Sequence, residues 1–263
     1  MGERKKYHRG RRKKKKGGII STLILIIAIA VFCVSGYQLY KIFGGYHQGK
    51  SEYDKVREVA VHGDDKDEDE FVVDFDELKK INADTVGWIR FYPEPSQISY
   101  PLVQTTDNDL YLNRTFSANE NTVGAIFVNC DNASDFSDRN TIIYGHRMRD
   151  HSMFHDLEKY KDESFWKENP YFYIYTPDGR KLTCHIYSAG IVKDTSSTYL
   201  TQFASDEEYR AFLDDTKRAG AYHTGVEVTT DQRVVTLSTC TAASDDNRMV
   251  VRGVIESEDV VKK

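Results

Sequence analysis

A chain of 263 residues is long enough for one sizeable domain and short for two, and its 40% apolar content is that of an ordinary globular protein. The net charge of −5 conceals an asymmetry: residues 1–16 hold ten Lys or Arg against one Glu, so the remainder carries about −14. A basic head on an acidic body is a topological signal more than a sign of nucleic-acid binding, and no nucleic-acid partner is expected.

The reason for the asymmetry follows in chain order. From Gly17 to Tyr40 there is no charged residue, and the centre reads IISTLILIIAIAVFCV. About 20 residues of helix span a hydrocarbon core, so 17–40 is expected to be a transmembrane anchor. The Lys/Arg head stays on the cytoplasmic side, which places everything after about residue 41 outside. A cleaved signal peptide shares the basic head and apolar run. Here the run is long for such a segment, and no small-x-small cleavage site follows it. Residues 41–70 read as a polar stalk, partly helical, closing on the acidic linker GDDKDEDE at 63–70; that run lacks the glycine and ligand spacing of a calcium loop.

A folded domain is expected over 71–263. Asp74 and Glu77 have the spacing of a capping box ahead of a short helix at 75–81. Short β-rich runs occupy 86–92, 98–104, 123–128 and 141–146. Helical patterns cover 152–160 and 162–168. Runs at 171–176 and 181–192 flank Pro177-Asp178-Gly179, a hairpin signal. Ser205 and Glu208 open an amphipathic helix to about Ala219, and strands follow at 233–240 and 248–256. The fold class is therefore mostly β with helical insertions, a closed or nearly closed barrel, preceded by a transmembrane helix.

Three Cys lie beyond the anchor (Cys130, Cys184 and Cys240), an odd number with no zinc-framework spacing. Cys240 ends the run Val234-Val235-Thr236-Leu237-Ser238-Thr239, and strand ends beside loops are where scaffolds present reactive groups. His146 likewise ends the run Thr141 to Gly145. Arg248 opens the next strand, eight residues after Cys240, so a returning loop brings it alongside. Each alone reads as structure: a buried thiol, a turn histidine, a solvated charge. Together they suffice for acyl transfer through a thioester. The thiolate attacks, the histidine protonates the leaving amine, and a permanently charged guanidinium holds the oxyanion. His151 and His155 stand four apart, but no carboxylate or cysteine is evident to complete a zinc ligand set. No metal and no cofactor are expected.

TLSTC at 236–240 with Arg248 downstream resembles the signature of the sortase family, and YGHR at 144–147 resembles its histidine strand end. The likeness covers roughly 71–256. The helical segment before the barrel, the stretch SYPLVQ…DNDLYLN at 99–113 and the helix 205–219 resemble class B sortases. The resemblance implies a sortase-like β-barrel of about eight strands. It also implies a membrane-anchored enzyme that cuts a pentapeptide sorting signal of secreted proteins after Thr and joins that Thr to a cell-wall amine, on a peptidoglycan precursor or a pilin. The setting it implies is a Gram-positive-type envelope, single-pass, with the catalytic domain extracellular. Asn108 and Leu112 match a substrate-groove segment of that class, Thr195, Tyr199 and Leu200 the loop before the long helix, and Ser238 lies two residues before the nucleophile. The interval from Cys240 to Arg248 is shorter than in some class B members, which bears on loop shape and substrate preference. Two other readings stay open at this point: a hydrolytic cysteine protease using the same three groups, and an anchored binding module in which Cys240 is structural.

Overall fold

The computed structural model describes residues 17–63, 70–242 and 246–261. The basic head 1–16, most of the acidic linker and three residues of the loop between Cys240 and Arg248 lie outside that range. Two compact units divide the chain, Met1–Gly44 and Gly45–Lys263.

The first unit is carried by helix α1 (Gly17–Ala60), whose apolar side chains from Ile20 to Phe43 are exposed. Among the described residues this helix is the one long and apolar enough to cross a membrane. The last turns of α1 belong to the second unit, where Tyr53, Val56 and Ala60 are buried. Their spacing of three and four residues is that of one helical face. Asp54, Lys55, Arg57 and Glu58 between them are charged, which is why this stretch reads as a stalk from sequence while the structure packs one face of it into the core.

A two-residue ribbon, β1 (Val61–His62) against β2 (Val72–Val73), leads into α2 (Phe75–Ile81). As the capping pattern predicts, Asp74 accepts from the Glu77 N–H at 3.0 Å. Eight strands then close a barrel: β3 (Thr85–Phe91), β4 (Ser99–Val103), β5 (Ile126–Val128), β6 (Asn140–Tyr144), β7 (Tyr171–Tyr175), β8 (Arg180–Lys193), β9 (Val234–Cys240) and β10 (Asn247–Val260). Their order around the barrel is β10-β8-β7-β3-β4-β5-β6-β9, with β9 returning to β10. The pairs β4/β5 and β6/β9 are parallel and the others antiparallel.

The β-branched and aromatic runs form strands because their inward side chains fill the barrel. Ile89, Leu102, Ile143, Ile174, Leu237 and Val251 are all at most 2% exposed. Each such burial removes roughly 1.5–3 kcal/mol worth of apolar surface from water. The β7–β8 hairpin turns where expected, with Thr176 N–H on the Arg180 carbonyl at 2.9 Å and Gly179 at φ +89°, a conformation glycine adopts without strain. Helix α3 spans Glu163–Glu168 and α4 spans Asp206–Arg218, the latter capped by Ser205. The segment 152–160 departs from its expected α-helix: it turns at His151 and Met153, both at positive φ, and enters a 3-10 helix at His155–Lys161.

Candidate active site

Strand β9 runs between β6 and β10, and the register of those two pairings builds the site. Along the parallel β6/β9 ladder Tyr144 lies opposite Ser238, and the Gly145 N–H extends the ladder onto the Ser238 carbonyl at 3.2 Å. His146 and Cys240 each stand two residues beyond that pair. Side chains on one face recur every second residue, so both emerge on the same rim of the barrel. On the other flank the antiparallel β9/β10 register sets Arg248 opposite Cys240. The order along the rim is thus His146, Cys240, Arg248.

These three line a single cavity of about 210 Å³ together with Asn108, Leu112, Phe127, Tyr144, Gly145, Ser238 and Thr239. Cys240 is exposed into it. Cys184, by contrast, is buried in the core, and burial pushes its thiol well up. Cys130 is half-exposed with its thiol also raised, first by desolvation and then by the neighbouring Asp131.

Each wall residue has a local reason for its position. His146 Nε2 lies 2.6 Å from the Leu112 carbonyl, which only accepts, so Nε2 carries the proton and Nδ1 is left to exchange one. Leu112 sits in a short 3-10 turn, Leu110–Leu112. Asp107 ties that turn by accepting from the Asp109 and Leu110 N–H groups at 2.8 Å, contacts that hold its carboxyl below the usual range. Asn108 Oδ1 accepts from the Cys130 N–H at 2.9 Å. Arg248 Nη1 donates to the Asn247 carbonyl at 3.2 Å, and Nη2 lies 3.5 Å from Asp194.

The loop candidates divide. Tyr199 reaches the site indirectly: its hydroxyl is 2.9 Å from Ser238 Oγ and its ring stacks on Tyr144 at 6.3 Å. Thr195 and Leu200 are exposed and do not line the cavity. The buried guanidinium of Arg252 steadies this loop, donating to Thr198 Oγ1 at 2.8 Å and to Ser188 Oγ at 3.0 Å.

Sequence reasoning missed Phe127, Tyr144, Thr239 and Asp194. Tyr144 was recoverable, since it stands two residues before His146 as Ser238 stands before Cys240. It packs against Phe127 at 5.3 Å, and burial pushes its phenol up to about 12.

Gly124 was missed as well. At φ +66° it faces the imidazole, and a Cβ there would lie 2.7 Å from His146 Cδ2 and 2.9 Å from the Leu112 carbonyl. Its own carbonyl accepts from Tyr53 Oη at 2.7 Å, a phenol that burial keeps neutral. Gly124→Ala is therefore expected to cost roughly 1–3 kcal/mol of stability and to displace the ring, lowering kcat/KM at least about tenfold. Thermal melts and steady-state kinetics of the variant measure both, and unchanged kinetics would mean the ring is not held there.

A sequence model of the Sortase domain matches residues 94–256. The chain belongs to the sortase family. Sortase B of Listeria monocytogenes is 31% identical over 242 residues, covering 88% of this chain and 94% of the relative. The Staphylococcus aureus sortase B–substrate complex superposes with a TM-score of 0.65 at 34% identity, over 72% of this chain and 85% of that one. Another solved sortase B, in complex with triglycine, superposes with the same TM-score and identity over 72% and 86%. The closed eight-stranded barrel is that of class B sortases, as the sequence resemblance implies, and the chain is a cysteine transpeptidase of the cell envelope.

Proposed function

We propose that this sortase cleaves a C-terminal pentapeptide sorting signal of secreted proteins after its Thr, with Cys240 as nucleophile, His146 as acid and base, and Arg248 as oxyanion donor. The observation that carries the reading is the double register of β9, which brings all three side chains to one rim and one cavity. Cys240 gives its thiol proton to His146, the resulting thiolate attacks the Thr carbonyl, and the electrons collect on its oxygen beside Arg248. Collapse expels the amine of the following residue, which takes a proton from His146, and leaves a thioester. An incoming primary amine loses a proton to His146, attacks the thioester and releases Cys240.

The cavity is smaller than the roughly 300–1,000 Å³ pockets that enclose whole ligands. A peptide therefore lies across it with one or two side chains inserted between Leu112, Phe127 and Tyr144. Asn108, Leu112 and Ser238 meet it, a reading their shared lining of the cavity supports. Tyr199 acts through Ser238, and Thr195 and Leu200 meet the peptide beyond the cavity rim. The acceptor is a peptidoglycan-precursor or pilin amine; the triglycine complex of the related enzyme supports this, since such a peptide ends in a primary amine. Residues 17–40 anchor the enzyme as a single pass, with head 1–16 cytoplasmic, and with both the stretch 41–70, whose helical end packs on the core, and the catalytic domain 71–263 outside. The long apolar helix supports that arrangement.

The test is cleavage of a pentapeptide library by the purified chain, read by mass spectrometry with and without an amine acceptor. Products cut after Thr and ligated to the amine are expected. Hydrolysis alone at every amine concentration would favour the protease reading.

A further inference from the structure

Immediately after His146 the chain makes a tight excursion that returns to it, since the Phe154 N–H donates to the His146 carbonyl at 2.9 Å and Arg147 bridges Met153. Within this excursion three ligand-type side chains converge, with donor atoms of His151, His155 and Asp156 all within 4.8 Å of one another.

Their individual settings favour a metal over a chance encounter. Asp156 is 2% exposed, and one of its oxygens, Oδ2, is occupied by Lys159 at 2.7 Å and by the Gln97 amide. The other, Oδ1, points at His151 Nδ1, 3.4 Å away. Ligands 2.0–2.1 Å from a tetrahedral ion stand about 3.3–3.4 Å from one another, so this pair already has the length of a coordination edge. His155 Nδ1 faces the Met148 carbonyl, which only accepts. That contact fixes the proton on Nδ1 and leaves the Nε2 lone pair for a ligand, the arrangement metal-bound imidazoles adopt. The two rings are 4.1 Å apart at their centroids. His151 holds a left-handed backbone, φ +67°, with its side chain open to solvent.

We propose that His151, His155 and Asp156 form a three-ligand site for a divalent transition cation, with a fourth position open to water. Two imidazoles and a carboxylate suit Zn²⁺ among such ions. Bound there, the ion fastens the excursion that carries the His146 backbone and braces the active-site rim from outside. The third ligand escaped the sequence reading because an α-helix over 152–160 would turn Asp156 roughly 100° away from the His151–His155 face. The 3-10 helix from His155 and the left-handed residue at 151 bring it back. The site does not depend on the roles proposed for Cys240, His146 and Arg248.

The test is titration of ZnCl₂ into the full-length, tag-free chain in detergent, followed by calorimetry and by the thermal midpoint. The chain carries Cys240→Ala so that the active-site thiol does not compete. One Zn²⁺ per chain and a raised midpoint are expected. His151→Asn keeps a residue tolerant of positive φ at an exposed position, and it should weaken binding at least about tenfold and abolish the midpoint shift. Asp156→Asn should do the same but removes a buried ion pair, so His151→Asn is the deciding variant. His223→Asn, outside the cluster, should bind as the parent does. Absence of Zn²⁺ binding in the parent, unchanged binding in His151→Asn, or equal weakening in His223→Asn would overturn the proposal.

Discussion

Cys240→Ala is expected to lower kcat/KM by at least about 10⁴-fold, to the floor left by substrate binding and electrostatics alone. Cys130→Ala and Cys184→Ala are expected to keep most of the activity. Cys240 lines the cavity opposite Arg248, whereas Cys184 is sealed in the core, where burial pushes its thiol well up, and Cys130 does not line the cavity, its N–H donating to Asn108 behind it. Peptide-cleavage assays on the three variants check this, with circular dichroism to confirm folding. Near-normal turnover in Cys240→Ala would remove the thioester from the account.

The second large effect concerns the groups on either side of the nucleophile. Losing one oxyanion donor typically costs about 10²–10³ in kcat, or roughly 3–4 kcal/mol. Arg248→Ala should fall at the upper end. Arg248→Lys keeps the charge but loses the planar fork of donors, so it should remain strongly impaired. A guanidinium stays protonated throughout the working range, so it adds no limb to the pH–rate profile. Both arginine variants should keep a bell-shaped dependence of kcat/KM, one limb from the thiol and one from the imidazole. His146→Ala should lose the limb that belongs to the ring as well as most of the rate. Full activity in Arg248→Lys would dismiss the fork, and an unaltered bell in His146→Ala would dismiss His146.

Much of the fold was legible because barrel strands announce themselves locally. Runs such as Val234–Thr239 combine β-branched residues with alternation, and Pro177-Asp178-Gly179 marks its own turn. Capping by Asp74 and Ser205 was readable for the same reason: donor and acceptor are three residues apart. What was not legible depends on pairing between distant segments. The parallel ladder of β6 and β9 joins residues more than ninety positions apart, and nothing local in either strand specifies it. The cavity's order was accessible through the signature of a known family rather than through periodicity. Gly124 and Asp194 act through tertiary contacts with His146 and Arg248, and their neighbours in sequence carry no hint of either. The buried face of Tyr53, Val56 and Ala60 was masked by the charged residues interleaved with it.

The thioester itself is the most direct test of the proposed chemistry. Wild-type enzyme mixed with a sorting-signal peptide, acid-quenched before the acceptor is added and digested with trypsin, is read by mass spectrometry. The peptide spanning 234–248 should carry the mass of the substrate up to and including its Thr, on Cys240, and hydroxylamine should remove it. An unmodified 234–248 peptide under conditions where substrate is turned over, or an adduct on the peptide bearing Cys130, would contradict the assignment.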